Sequence, residues 1–134
     1  MLLKNKKIVI FGVANKYSIA TGIARSMHEQ GAELAFAYQN ERLLKNIQPI
    51  AKELGSEILI ECDVSNDNSI DQAFKGLTNQ WNKFDGLVHS IGFAPADQLE
   101  GNFVDVATRE GFKIAHDISS VSYTHLTLPT NREV

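Results

Sequence analysis

The chain has 134 residues, 43% of them hydrophobic and 22% charged, which is the balance of a single soluble globular domain. The net charge of −3 disfavours nucleic acid or an anionic membrane as the main partner. No apolar run approaches the roughly 18 residues of a membrane span. The single cysteine, Cys62, fits a reducing compartment, so we expect a cytoplasmic protein, and four scattered histidines give no spacing for a metal site.

The first predicted element is a buried strand over Ile8–Phe11, a continuous apolar run that ends at Gly12. Gly12 marks a place where backbone comes close to something that leaves no room for a side chain. Ser18 is a predicted N-cap, and a helical apolar face follows it at Ile19, Ala20, Ile23, Ala24 and Met27. A helix that opens beside a strand end binds phosphate, so we expect a dinucleotide pyrophosphate here.

The glycine spacing leaves an alternative open. Gly12 and Gly22 are ten positions apart with no glycine between them, unlike the usual G-x-G-x-x-G fingerprint. A tight strand-to-helix turn in any α/β protein explains the same residues.

The rest of the chain alternates strands with helices. The predicted elements are a strand at Glu33–Tyr38, a helix at Asn40–Leu54, a strand at Glu57–Glu61, a helix at Asp67–Trp81 and a strand at Asp85–His89. Gly31 and Gly55 are predicted helix stops, and Pro49 is expected to kink its helix or split it in two. This order predicts an α/β fold, a Rossmann-like doubly wound parallel sheet with strand order 3-2-1-4, truncated after about four strands.

Ligands of such sheets bind beyond the carboxyl ends of the strands, which selects the loops after each strand. Asp63 follows the third strand and is either an acceptor for an adenine amino group or the cap of the helix that begins near Asp67. Gly92 follows the fourth strand and either admits a flat ring or ribose or is a plain turn. Gln39 ends the second strand, where an NAD site often has an acid, and it can still hydrogen-bond a ribose. NAD is favoured over NADP because no Arg or Lys stands directly at the strand end for a 2′-phosphate; the alternative is that Arg42, three residues further on, reaches it.

Five stretches of the chain resemble the bacterial enoyl-acyl-carrier-protein reductases, the NADH-dependent type of the short-chain dehydrogenase superfamily. They are GVANKYSIATGIA, ELAFAYQNERL, CDVSND, KFDGLVHSIGFAP and TREGFKIAHDIS, and the resemblance runs from about Lys4 to Ser120. Ordinary members of the superfamily carry a T-G-x-x-x-G-x-G turn and an N-A-G turn at these places, and this chain has neither.

The resemblance implies reduction of the trans-2 double bond of acyl chains on acyl carrier protein by NADH, and a homotetramer. The net charge and the lack of a membrane-length apolar run, noted above, lead us to expect no nucleic acid or membrane partner. The resemblance also implies positions for the ligands: Gly12, Ser18 and Ile19 for the pyrophosphate, Gln39 for the adenosine ribose, Asp63 and Val64 for the adenine, Ile91 and Gly92 for the nicotinamide side, and the Ala94 backbone for the acyl substrate.

The catalytic pair that the resemblance implies is missing. The family has a Tyr and, seven positions later, a Lys, but that spacing fails for Tyr17 and Tyr123. Tyr38 and Lys45 have the spacing by coincidence, since Tyr38 ends the second strand on the adenosine side. The hypotheses are therefore an enoyl reductase whose chain is inactive alone, a non-catalytic NAD-binding module, or another short-chain reductase that acts on a ketone.

The composition changes after Ser120. Thr108 is the predicted cap of a helix with an apolar side at Phe112, Ala115, Ile118 and Val121. A Thr-rich stretch with β-type alternation at Leu126 and Leu128 follows. We expect an incomplete Rossmann-like domain over 1–120 and a foreign or disordered tail over 121–134. His116, Asp117 and Ser119 contain triad residue types but are neighbours on one helix, so they are expected to be structural.

Overall fold

A computed structural model describes residues 1–131, with side chains as far as Thr127. The chain forms two compact units, residues 1–90 and a second unit that starts at Ile91. In the first unit, strands β1 (Lys7–Phe11), β2 (Glu33–Tyr38), β3 (Ile58–Glu61) and β4 (Gly86–His89) alternate with helices α1 (Ile19–Glu29), α2 (Glu41–Glu53) and α3 (Asp67–Gln80). Each predicted strand and helix of this unit is present, with ends displaced by at most one residue.

The sheet has the predicted order β3-β2-β1-β4, and every pairing is parallel. β1 lies in the middle, where Val9 is in register with Ala35 of β2 and Leu87 of β4. In the described residues β4 pairs with β1 alone, so β4 is an edge strand as the sequence predicts. The carboxyl ends of all the strands consequently lie along one edge of the sheet.

The core forms where β1 and β2 meet the apolar faces of α1 and α2. Ile10, Phe36 and Ile47 are fully buried there. Burial of each such side chain contributes about 1.5–3 kcal/mol, so the continuous apolar runs of β1 and β2 supply much of the stability of this unit. Gly31 and Gly55 follow α1 and α2 with positive φ of 95° and 68°, which confirms them as helix stops.

Pro49 lies inside α2, which continues unbroken from Glu41 to Glu53. The prediction that this proline splits the helix in two is therefore wrong. Proline removes one N–H and its bond to the preceding turn. Pro49 is exposed, whereas Ile47, Ile50 and Ala51 around it are buried, so water can reach the orphaned carbonyl while the packed face holds the helix together.

The second unit is helical in its described residues. A 3-10 turn at Ala96–Gln98 precedes α4 (Phe103–Val106) and α5 (Arg109–His116); a π-helical segment at Asp117–Val121 then leads into α6 (Ser122–Asn131). The Thr108 hydroxyl accepts the Gly111 N–H at 3.0 Å, so the predicted cap of α5 is confirmed. Phe112, predicted on a packed apolar side, is 65% exposed.

The tail departs from its predicted strand-like alternation. α6 takes in Leu126 and Leu128, and the Ser122 hydroxyl donates to the Ile118 carbonyl at 2.6 Å, a contact between successive helical turns. Leu126 is fully buried. The β-type reading is wrong because a spacing of two between leucines also fits a helix when the intervening positions are weakly polar. The foreign origin of the tail and the boundary at residue 120 stay predictions, and residues 132–134 lie outside the described part. Within the described residues, no helix combines the length and the apolar character that a bilayer crossing needs.

Candidate functional site

Gly12, at the end of β1, is fixed by its contact with the end of β4. Its φ is 112°, and a Cβ at this position would overlap the carbonyl of Ser90. The Ser90 N–H donates to the Phe11 carbonyl at 3.0 Å, which draws the two backbones together. The predicted close approach is confirmed, and the group that leaves no room for a side chain is the backbone of Ser90.

The turn between Gly12 and α1 is held by its own side chains. The Ser18 hydroxyl accepts the N–H groups of Ala14 and Asn15 at 3.0 and 3.1 Å. The Thr21 hydroxyl donates to the Asn15 carbonyl at 2.6 Å, and the Asn46 side chain of α2 donates to the Ala14 carbonyl at 3.1 Å. Ser18 occupies the predicted N-cap position, but its hydroxyl makes no capping hydrogen bond to α1 because it is engaged by the turn.

This arrangement leaves donors available at the start of α1. The Thr21 N–H donates to the Ser18 carbonyl at 3.0 Å, whereas the N–H groups of Ile19 and Ala20 have no acceptor within residues 1–127. The side chain of Ile19 is 78% exposed, so solvent or a ligand reaches this end of the helix. Unpaired N–H groups and the positive end of the helix dipole together favour a phosphate group.

The end of β2 is open and polar. Gln39 is exposed, and so is Arg42 in the first turn of α2. Burial raises the pKa of Tyr38, the last residue of β2, and the carboxylates of Glu61 and Glu41 raise it further. Gln39 follows Tyr38 at this open strand end, and its contact with a ribose stays a prediction.

Asp63 forms a turn after β3 and does not cap α3. Its carboxylate accepts the N–H and the hydroxyl of Ser65 at 3.0 and 2.6 Å. The cap of α3 is Asn66, whose side chain accepts the Ser69 N–H at 3.1 Å. The capping alternative for Asp63 is wrong because Asn66 lies closer to the helix start. Val64, the other predicted adenine contact, is partly exposed beside Asp63.

Cys62 is unsuited to chemistry at this edge of the sheet. Burial raises the pKa of its thiol to about 12, with a smaller contribution from the Asp63 carboxylate. The reactive form of cysteine is the thiolate, which is scarce at neutral pH when the pKa is this high. Cys62 is a packing residue.

The remaining predicted contacts, Ile91, Gly92 and Ala94, begin the second unit. The Ser119 hydroxyl accepts the Phe93 N–H at 3.0 Å and donates to the Phe93 carbonyl at 3.2 Å, which clamps this segment to the π-helical one. A Cβ on Gly92 would meet nothing within 4 Å, so the fold imposes no steric need for glycine there. Ser119 has the structural role predicted for it.

Sequence reasoning missed Asn15, Thr21 and Asn46 as the residues that shape the turn. Asn15 and Thr21 flank Ser18, and a local polar pattern of this kind is compatible with many turns. Asn46 lies on α2, and its partner Ala14 is 32 residues away in the chain. Such a contact becomes visible only once α2 is packed beside the turn.

The four-stranded parallel sheet of order β3-β2-β1-β4, with helices between its strands, defines a fold of the Rossmann type. A family model described as Enoyl-(Acyl carrier protein) reductase matches residues 12–130. The chain belongs to this family. The match extends into the predicted tail.

Relatives named enoyl-[acyl-carrier-protein] reductase [NADH] FabI match over most of the chain. The protein from Escherichia coli K12 is 59% identical over 121 residues, and the one from Haemophilus influenzae is 53% identical over the same length; each match covers 90% of this chain and 46% of the relative. This chain therefore spans about half the length of these relatives.

Solved structures agree with the fold. The crystal structure of the NADH-dependent enoyl-[acyl-carrier-protein] reductase from Aquifex aeolicus has a TM-score of 0.91 at 47% identity, and the match covers 95% of this chain and 50% of that one. The reductase from Anaplasma phagocytophilum, solved in complex with NAD, has a TM-score of 0.88 at 40% identity over 94% of this chain and 48% of its own.

Proposed function

We propose that this protein reduces the trans-2 double bond of acyl chains on acyl carrier protein with NADH, and that the turn before α1 holds the cofactor's pyrophosphate. The observation that carries the proposal is the start of α1. Ile19 and Ala20 offer unpaired N–H groups at the end of a turn that Ser18 and Asn46 hold in shape. The NADH-dependent relatives and the NAD complex of the Anaplasma phagocytophilum protein support this assignment.

Each predicted site residue of the first unit has a specific role in this proposal. Gly12 lets the strand ends meet, Ser18 orders the turn, and Ile19 donates its N–H to the pyrophosphate. Gln39 binds the adenosine ribose. The Asp63 oxygen that Ser65 does not engage accepts the adenine amino group, with Val64 against the ring.

The second unit supplies the residues near the reaction. Ile91 and Gly92 bind the nicotinamide side, and the Ala94 backbone contacts the acyl substrate. NADH supplies the hydride when it is bound. The clamp between Ser119 and Phe93 keeps the Gly92 segment in place, so this chain's own contribution is orientation of the ring.

We expect the chain alone to bind NADH without turnover. Neither Tyr17 nor Tyr123 has a lysine seven positions later, and Tyr38 belongs to the adenosine end of the site. No tyrosine is thus available to polarise the thioester carbonyl. The second candidate function is a non-catalytic NAD-binding module. It predicts the same NADH binding, but unlike the first candidate it has no catalytically active full-length form.

The binding test compares Ser18→Ala with Ser26→Ala. Loss of the Ser18 hydroxyl leaves the N–H groups of Ala14 and Asn15 unpaired and loosens the turn, so we expect NADH affinity to fall about tenfold, as for about 1.4 kcal/mol. Ser26 is exposed on α1, away from the turn, and its substitution is expected to change affinity less than about twofold. Titration of NADH fluorescence measures both. Equal affinities in the two variants would contradict the role of Ser18, and no NADH binding to the unmodified chain would overturn the proposed function.

The activity test measures NADH oxidation with a crotonyl thioester. The purified chain is expected to show none. Turnover would refute the account of the missing catalytic pair, and turnover with a ketone in place of the enoyl thioester would support the third candidate, another short-chain reductase.

Partners and location follow from the same proposal. The substrate is an enoyl group carried by acyl carrier protein, and the full-length protein is a homotetramer whose chains assemble poorly when shortened. We place it in the cytoplasm, because its single thiol, Cys62, is buried and unpaired, as reducing compartments favour.

A further inference from the structure

The end of β2 is flanked by two carboxylates that the proposed cofactor contacts do not use. Tyr38 is in register with Glu61 of β3, and the Tyr38 carbonyl accepts the Cys62 N–H at 2.7 Å. Neighbouring residues in register project from the same face of a sheet, so the Glu61 side chain stands beside that of Tyr38. Glu41 is the first residue of α2, two positions beyond Gln39.

The charges of both carboxylates reach the strand end. After burial, Glu61 and then Glu41 are the causes that raise the pKa of Tyr38, so their fields overlap at the residue before Gln39. Both carboxylates are exposed, and within residues 1–127 neither forms an ion pair. Arg42 and Lys45, the cations of the first turns of α2, are also exposed and unpaired in that range.

The start of α2 would attract a phosphate if it lacked an acid. Asn40 caps the helix by accepting the Leu43 N–H at 3.1 Å, which leaves the positive end of the helix dipole directed at the loop that contains Gln39. Glu41 opposes that dipole from the first turn, and Glu61 adds negative charge from the neighbouring strand.

We infer that Glu41 and Glu61 select NADH over NADPH by repelling a phosphate on the 2′-hydroxyl of the adenosine ribose bound at Gln39. This inference rests on the proposed cofactor site. A 2′-phosphate carries up to two negative charges, and its interaction with each carboxylate is unfavourable at any separation within the site. NADH has no charge at this position, so the same carboxylates leave its affinity almost unchanged.

The test titrates the chain with NADPH and with NADH by cofactor fluorescence. We expect Glu41→Gln and Glu61→Gln each to tighten NADPH binding about three- to tenfold, while NADH binding changes less than about twofold. The matched control is Glu57→Gln, which removes the same charge at the opposite end of β3 and is expected to leave both affinities unchanged.

Salt gives a second readout on the unmodified chain. Screening weakens the repulsion, so the NADPH affinity relative to that of NADH is expected to rise between low salt and about 0.5 M salt. The relative affinity of the Glu41→Gln, Glu61→Gln double variant is expected to rise less.

The outcomes separate this inference from the proposal beneath it. NADH binding with an unchanged NADPH affinity in both single variants would overturn the inference alone. An equal gain in Glu57→Gln would also overturn it, since net charge would then explain the effect. Failure of the unmodified chain to bind NADH would overturn the cofactor site, and the inference with it.

Discussion

Glycine is required at position 12 because of a contact within the protein itself, whether or not a ligand is bound. Glycines after the first strand of nucleotide-binding folds are usually explained by the approach of the pyrophosphate. Here the Ser90 backbone already occupies the place of a side chain, and the positive φ adds a second demand. Gly22, the other glycine near the turn, meets nothing and has no such constraint.

We expect Gly12→Ala to lower the free energy of unfolding by at least about 3 kcal/mol, from backbone strain and overlap together. The control is Gly22→Ala, on the exposed side of α1, where better helix propensity is expected to stabilise the fold by about 0.5–1 kcal/mol. Urea unfolding followed by circular dichroism measures both. Similar stabilities for Gly12→Ala and the unmodified chain would rule out the contact with Ser90.

The raised pKa of Cys62 predicts a loss of stability in alkaline solution. Its pKa is raised from 9.0 to about 12 in the fold, so between these pH values the unfolded chain releases a proton that the folded chain keeps. The contribution of the Cys62 thiol to the free energy of unfolding is complete below about pH 9, and it declines by about 1.4 kcal/mol per pH unit above that value. The raised pKa of Tyr38 acts in the same direction at higher pH.

Comparison with Cys62→Ala isolates the thiol. The stability difference between the unmodified chain and this variant is expected to shrink as the pH rises from 8 to 10. Urea midpoints at each pH measure it, and a constant difference would mean that Cys62 titrates normally in the fold.

At the scale of elements, α2 and α3 begin where asparagine side chains accept N–H groups. Asn40 caps α2 and Asn66 caps α3, each at 3.1 Å. Asp63 and Asn66 compete in the sequence for the start of α3, and both residue types are good caps. Asn66 is the cap because the Asp63 carboxylate already accepts the Ser65 N–H in the turn that precedes α3.

Asn66→Ala is expected to cost about 1 kcal/mol of stability through loss of the cap. Asn68, two residues further along the chain and exposed, provides the control, since Asn68→Ala removes no described hydrogen bond and is expected to be neutral or slightly stabilising. Thermal unfolding separates the two, and a neutral Asn66→Ala would show that Asp63 can take over the cap.

The strands and helices of the first unit follow from the sequence because the signals are local and agree with one another. Apolar runs such as Ile8–Phe11 and stops such as Gly31 mark each element. The turn could be predicted only in outline. The sequence predicts Ser18 as the cap of α1, yet its hydroxyl accepts the N–H groups of Ala14 and Asn15, and Asn46 contacts the turn from another helix.

In the second unit, the sequence predicts correctly only the capping role of Thr108 and the structural role of Ser119. Phe112 shows the reason: helical spacing identifies an apolar side, but not whether anything packs against it. The sequence does not predict α6, because the pattern around Leu126 and Leu128 is a strand-like alternation that includes threonine, a residue that favours strands.

At the scale of the whole molecule, the second unit exposes several large apolar side chains within a short stretch of the chain. Leu99, Phe103 and Val104 are 70%, 72% and 88% exposed. The net charge of −3 offers little repulsion between copies. Apolar patches of this kind promote association.

We expect the chain to self-associate as its concentration rises, and the double variant Phe103→Ser, Val104→Ser to do so less. Leu2→Ser, at an equally exposed position in the first unit, is the control and is expected to leave association unchanged. Sedimentation velocity measures the mass distribution. A monomeric unmodified chain at every concentration would contradict the prediction.

The contact between Gly12 and Ser90 also determines when the turn after β1 takes shape during synthesis. Domains form from the N-terminal end as the ribosome delivers them, and Gly12 emerges long before Ser90. β1, α1 and β2 can pack together early. The Ser90 carbonyl that lies against Gly12 and the Ser90 N–H that donates to Phe11 are synthesised only after β4. A nascent chain therefore carries an unfinished turn until β4 has emerged, and we expect the proposed nucleotide site to form only then.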